Sequence, residues 1–295
     1  MSRDAGSSRR PYISNALGIL SAGAALINER SLFSAISFMG LPPRLRALPI
    51  VDVGAHTGKD LAIPAAQKGH RVYAYEVTRS TFHTLVSNIF KANLTVVPKS
   101  RPIENYHTSA PGSIICRNVA ASNASGWANL TSTRLFGGVA NTMSGEAALP
   151  SKYKDRPPDV SRVRTVRLSD ELRGEQDGIY FLKLDVQGQE LNVLLGAEEY
   201  VQTHPVYIIA LEFSPFLLRG AGVAPMDVLR LLTVKWGYQC FDGRRVQSAG
   251  FDKGNRSTVA MTLEEFVDAH PSRSTRRHPF GIWTDLLCVR LDLLR

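Results

Sequence analysis

The chain has 295 residues, 44% of them hydrophobic and 21% charged; this balance excludes a disordered or collagen-like chain and fits one large α/β domain with additions as well as two small domains. The formal net charge is +9, and much of the excess sits in Arg9, Arg10 and the run from Arg273 to His278. A basic balance suits acidic substrates, nucleic acid or a membrane surface, but no nucleic-acid motif or aromatic-laced basic patch is present, so nucleic acid is not an expected partner.

Residues 1–10 are polar. The apolar stretch 11–27, "PYISNALGILSAGAALI", follows two arginines and is short of the ~20 apolar residues of a spanning helix. Ile13, Leu17, Leu20, Ala24 and Ile27 stand at helical spacing, so the segment reads either as an anchor or as an amphipathic helix docked on the domain. The compartment stays open between a cytoplasmic and a membrane-associated protein. One or two helices are expected over 12–46, ending at the breaker "GLPPR". An N-terminal extension, 1–46, therefore precedes a main domain, 47–295.

"LPIVDVG" (48–54) reads as a buried strand feeding a glycine turn, and residues 59–68 as a helix interrupted by Pro64. "HRVYAYE" (70–76) is a second strand, and 80–93 a helix with Phe82, Leu85, Val86 and Ile89 on one face. Strands are expected at 113–122 and 126–132. Residues 132–162 are rich in Gly, Ser, Pro and charge without a period, as in a lid or a disordered insertion. Strands at 179–185, 206–213, 237–241 and 282–291 then alternate with helices from Glu190 to about Tyr200, over 225–236 and near 263–269. Strands alternating with helices predict an α/β fold with a mostly parallel sheet covered on both faces. The three cysteines make no CxxC pair, zinc spacing or disulfide ladder. Cys116 and Cys288 lie in apolar runs and read as buried thiols.

Ligands of such sheets bind outside the carboxyl ends of the strands, where strand order reverses. Three strand ends carry acids there. "VDVGAHTGKD" surrounds its turn with Asp52, Gly54 and Gly58; "VYAYE" ends in Glu76; "YFLKLDVQGQE" passes Asp185 before turning through Gly188 into a helix. Singly, Asp52 reads equally as a brace for its turn, Glu76 as a cap on the following helix and Asp185 as an N-cap. Together they predict a nucleotide site, in which Glu76 would accept both hydrogen bonds of a ribose diol. His56 stands where a dinucleotide fingerprint has its second glycine, so the turn suits a nucleoside without phosphate better than a pyrophosphate.

"VDVGAHTGKD", "VYAYEVTRSTFHTLVSNI", "TVRLSDEL" and "YFLKLDVQGQELNVLLGAEEYV" resemble the FkbM family of S-adenosylmethionine-dependent methyltransferases over roughly residues 48–215. The family's usual motifs are D-V-G-A-N-x-G, F-E-P and I-K-I-D-V-E-G-x-E-x-x-V-L-x-G-A. This chain departs from them at His56, Val77 and Gln187. The resemblance implies a Rossmann-like fold with a seven-stranded, mostly parallel sheet. It implies S-adenosylmethionine as cofactor, with Asp52, Gly54, Ala55, His56 and Gly58 around its methionine part. Glu76 would hold the ribose, Asn118, Val119 and Ala120 would lie near the adenine, and Asp185 near the sulfonium. The implied acceptor is a hydroxyl on a sugar or other small metabolite. The sequence itself shows no dedicated metal-ligand cluster and leaves a calcium or magnesium requirement open. Asp185, Glu190 and Glu212 are the candidate catalytic carboxylates, and Lys183 shares a strand face with Asp185. The competing readings are a non-catalytic scaffold that retains the fold and a nicotinamide-linked oxidoreductase.

Overall fold

The computed structural model describes residues 45, 47–97, 112–132, 159–242, 267, 283–290 and 292. The stretch 11–27, most of the expected helices of 12–46 and 263–269, and residues 133–158 lie outside them. Among the described residues no helix is long and apolar enough to cross a membrane.

An eight-stranded sheet forms the centre. In chain order its strands are β1 (Ile50–Val53), β2 (Val72–Tyr75), β3 (Thr95–Val97), β4 (Ser113–Arg117), β8 (Ile179–Leu184), β9 (Val206–Phe213), β10 (Gln239–Asp242) and β11 (Thr284–Val289). Their spatial order is β10-β11-β9-β8-β1-β2-β4-β3. All pair in parallel except β11, which runs antiparallel to both neighbours, β9 and β10. The expected sheet had seven strands. The eighth, β3, is three partly exposed residues at one edge, too short to show a period in the sequence.

The central strands are apolar on both faces, as a sheet covered on both sides requires. Val51, Val53, Tyr73, Leu182, Leu184 and Ile209 face one core. Ile50, Val72, Ala74, Ile114, Phe181 and Ile208 face the other. The helices that cover these faces are α1 (Ala62–Gln67), α2 (Arg79–Lys91), α3 (Leu168–Glu171), α4 (Glu190–Thr203), α5 (Pro215–Gly220) and α6 (Pro225–Arg230), the last running into a π-turn at Leu231–Lys235. α1 begins three residues later than expected. Pro64 thus falls in the first turn, where its missing N–H costs no hydrogen bond. In α2 the buried face is Thr81, Leu85 and Ile89, with Phe82 and Val86 packed alongside.

Two expectations are corrected. Residues 159–162, expected in the aperiodic stretch, are strand: β7 (Asp159–Val166) pairs antiparallel with β6 (Gly126–Ser132), the expected strand at 126–132, and in parallel with β5 (Ala120–Ala121), as a separate three-stranded sheet. Cys288 is not a free thiol. It faces Cys240 across the β10–β11 ladder in a disulfide that closes a sequence separation of 48, a register that residue spacing does not announce. Cys116 remains a buried thiol, pushed up to about 12 by burial.

Candidate active site

Strand order reverses between β1 and β8: the chain builds outward to β2 and β4 on one side and to β9 on the other. At the carboxyl ends of these strands lies a cavity of about 230 Å³. Its wall includes Asp52, Gly54, Ala55, His56, Glu76, Ala120 and Asp185, together with Val119 and Lys183. Leu130, from β6, also reaches it, so the small sheet forms one side of the site.

The turn after β1 is held by its neighbours. Gly54 has φ 80°, and a Cβ there would lie 1.9 Å from the carbonyl oxygen of Asp185. Glycine is needed because the backbone just beyond β8 passes so close. His56 has φ 49°, the left-handed region that His and Asn enter more readily than most residues. An Asn at this position would meet the same backbone demand as the His does. Gly58, φ 75°, stands outside the cavity, and its missing Cβ leaves room for Leu85 of α2.

Glu76 accepts hydrogen bonds from the N–H of His56 (2.9 Å) and of Thr78 (2.8 Å). One carboxylate thus ties the first turn to the start of α2. Burial pushes its pKa up, against these hydrogen bonds. A carboxylate has about four lone-pair sites, so acceptor capacity toward the cavity remains. Asn118 is not a wall residue: its amide donates to the carbonyls of Glu76 (2.8 Å) and Val77 (3.0 Å), clamping β4 to β2. Its neighbours Val119, Ala120 and Ala121 form the wall instead.

β1 and β8 place Asp52 directly beside Lys183. The Lys183 Nζ lies 3.5 Å from Asp52 Oδ1 and 3.7 Å from Asp185 Oδ2, and donates to the Gly54 carbonyl at 3.1 Å. Burial pushes the Asp52 carboxyl up, while Lys183 opposes the shift. Lys183 therefore stands between the two acids.

The candidate catalytic carboxylates separate. Asp185 faces the cavity and is a quarter exposed. Glu212 lines a second, smaller cavity of about 20 Å³ that shares Lys183 and Asp185 with the first. Gln187 bridges the two acids, its Nε2 donating to Asp185 Oδ1 (2.8 Å) and Glu212 Oε2 (2.7 Å). Glu190 stands outside both cavities. Its side chain folds back to accept from the N–H of Val186 (3.3 Å) and Gly188 (3.2 Å), bracing the turn, and burial pushes it up to about 7. Sequence reasoning did not single out Leu130, which enters from a separate sheet, or the bridging amide of Gln187, for which only its departure from the family pattern was a signal.

Among the described residues no three of His, Cys, Asp and Glu cluster as metal ligands. The acids of the main wall are Asp52, Asp60, Glu76 and Asp185, against one lysine. Such a wall favours a cationic ligand group and repels a pyrophosphate.

No curated protein sequence matches the chain. The methyltransferase FkbM from Methylobacillus flagellatus KT aligns at 14% identity and a TM-score of 0.42, covering 94% of this chain and 59% of that one. An O-methyltransferase from Bacillus cereus in complex with SAH aligns at 10% identity over 96% of this chain and 94% of that one, with a TM-score of 0.42. Magnesium protoporphyrin IX methyltransferase from Synechocystis PCC 6803 with bound SAM gives 12% identity over 97% and 86%, with a TM-score of 0.38. The methyltransferase FkbM domain model matches residues 52–240, from the acid of the first turn to the strand beyond α6, and the chain belongs to that family.

Proposed function

We propose that the protein transfers the methyl group of S-adenosylmethionine to a hydroxyl on a sugar or other small metabolite. The observation that carries this is the acid-rich, phosphate-repelling cavity at the β1–β8 switch point, with Asp52, Glu76 and Asp185 on its wall. On this reading residues 47–295 are the catalytic unit and 1–46 an extension.

The bound cofactor supplies a methyl group on a positively charged sulfur, ready for in-line displacement. The turn Gly54–Ala55–His56 and the Asp52–Lys183–Asp185 trio form the end of the cavity that takes the methionine part. There the acids offset the sulfonium and ammonium charges. Glu76 is the ribose acceptor, and Val119 and Ala120 are the apolar wall for the base. Orientation of the two reactants supplies much of the rate, about 7–11 kcal/mol in well-aligned cases.

An attacking alcohol must lose its proton, which calls for a base within hydrogen-bond reach. Asp185 is that base: it faces both cavities, and Lys183 and Gln187 orient its two oxygens. Glu212, in the adjoining cavity, marks the acceptor side. Glu190 is a brace rather than a base: its Oε1 accepts both N–H groups of its own turn, and the residue lies outside both cavities.

The test is ligand-dependent thermal unfolding followed by tracing of a labelled methyl group. S-adenosylhomocysteine should raise Tm while NADH does not, and label should pass from the cofactor into a hydroxyl-bearing metabolite of a lysate. Stabilisation by NADH alone would overturn the reading in favour of an oxidoreductase. Absence of any nucleoside effect would favour a non-catalytic scaffold.

A further inference from the structure

Cys240 and Cys288 are joined across the β10–β11 ladder. Disulfides form and persist in oxidising compartments and are rare where thiols are kept reduced. Arg9 and Arg10, followed by the apolar stretch 11–27, have the order of a secretory targeting segment, a basic end and then an apolar run. In that setting Asn-x-Ser/Thr triplets become acceptors for N-linked glycans. Three such asparagines lie among the described residues, Asn93, Asn123 and Asn129, and all are exposed.

Two of them have a structural reason to be asparagine. Asn93 ends α2 at φ 55°, the left-handed cap that asparagine fills readily. Asn123 accepts from the Ser122 hydroxyl at 3.4 Å. Asn129 has no such reason. It stands inside β6, where asparagine is disfavoured, and its side chain forms no hydrogen bond among the described residues. Residues two apart on a strand share a face. Trp127, Asn129 and Thr131 therefore stand together on one side of β6, with Arg164, Arg162 and Val160 opposite them on β7. Trp127 is 62% exposed. The Arg162 guanidinium lies 5.0 Å from its ring centroid, and much of the indole still faces solvent.

We propose that Asn129 carries an N-linked glycan whose first sugar ring packs on the indole of Trp127. A sugar ring has a face of C–H groups, and their positive edges suit the negative face of an aromatic ring. In the modification the Asn129 amide nitrogen bonds to the anomeric carbon of a lipid-linked oligosaccharide. The lipid pyrophosphate leaves and takes up the amide proton, and nothing is oxidised or reduced. Transfer takes place on the unfolded chain, so burial of Thr131 after folding does not oppose it. The glycan lies on the face of the small sheet opposite Leu130, and so leaves the main cavity open.

The experiment is peptide mass spectrometry on the full chain isolated from the cells that make it, with free thiols blocked before digestion. Peptide-N-glycosidase treatment in heavy-oxygen water converts each glycosylated asparagine to labelled aspartate. Label at Asn129, together with a cross-linked Cys240–Cys288 peptide, is the expected result. An unlabelled Asn129 overturns the proposal, whether the cysteines are paired or free. The packing is read separately, from thermal unfolding of variants made in the same cells. Asn129→Gln, which cannot accept the glycan, should unfold about 2 °C below the glycosylated chain. In a Trp127→Ala background the same substitution should leave Tm unchanged. An equal drop in both backgrounds would overturn the packing of the sugar on Trp127. Neither readout depends on methyl transfer.

Discussion

The two strand-to-helix turns at the switch point perform the same backbone task in different ways. After β1, left-handed residues at Gly54, His56 and Gly58 carry the chain toward α1; after β8, Gln187 and Gly188 carry it into α4. Each turn is braced by a carboxylate that accepts two backbone N–H groups, Glu76 for the first and Glu190 for the second. Glu76 comes from the next strand and stands on the cavity wall, whereas Glu190 comes from the helix the turn begins and is buried away from it. Two acids with like hydrogen bonds are thus told apart by what else they face. Bracing a turn is common to both, and contact with the cavity belongs to one.

The two turns differ most in what a side chain at their glycines would meet. A Cβ on Gly54 would meet the carbonyl of Asp185 at 1.9 Å, and one on Gly188 the carbonyl of Leu217 at 2.6 Å. Both obstacles are backbone, which cannot step aside. Gly54→Ala is expected to cost about 4 kcal/mol, and Gly188→Ala about 3 kcal/mol, by urea unfolding. Gly58→Ala meets the end of the Leu85 side chain instead and should cost only about 1–2 kcal/mol. Equal losses at all three would mean that φ alone, and not the interlocking of the two turns, sets the cost.

Next in size is the separation of Asp185 from Glu190. Asp185→Asn should lower kcat by about 10²–10⁴-fold with cofactor affinity retained. Glu190→Gln should leave kcat within about threefold, since an amide oxygen still accepts from Val186 and Gly188. Turnover in single-turnover assays decides it, and a large loss for Glu190→Gln would make the brace a participant.

The strand ends were legible because apolar runs closed by an acid or a glycine mark the edge of a buried sheet without knowledge of its partners. Asp52, Glu76 and Asp185 were found that way, and the structure brings all three to one cavity. What was not legible depends on register or tertiary approach. The pairing of Asp52 with Lys183 follows from β1 lying beside β8. The need for Gly58 comes from Leu85, 27 positions along the chain. The role of Asn118 as a clamp follows from the contact between β2 and β4. Leu130 and the β5–β7–β6 sheet were hidden because β7 begins with exposed residues carrying no apolar alternation. In each case the missing information was the identity of a spatial neighbour.

A pH measurement sharpens the contrast further. Burial raises the Glu190 carboxyl from 4.5 to about 7, so between those values the folded protein binds a proton that the unfolded chain does not. Stability from this group is therefore present below about pH 4.5, falls as pH rises toward 7, and stays reduced above it. Glu190→Gln removes that dependence. The difference in unfolding free energy between pH 5 and pH 8 should shrink by about 1–3 kcal/mol. An unchanged difference would mean that Glu190 is ionised throughout.

The smallest expected effect is at His56. The backbone of this residue serves Glu76 through its N–H, and its side chain is exposed. Asparagine enters the left-handed region as readily as histidine does, so His56→Asn should move stability by less than about 0.5 kcal/mol. Valine at the same position is β-branched and disfavoured at positive φ, and should cost about 1–2 kcal/mol and loosen the Glu76 hydrogen bond. Cofactor affinity, measured calorimetrically with S-adenosylhomocysteine, should follow the same order: near wild type for Asn and weaker for Val. If Asn weakened binding as much as Val, the imidazole itself would be in contact with the ligand, and the first turn would contribute a side chain where the geometry assigns it only a backbone.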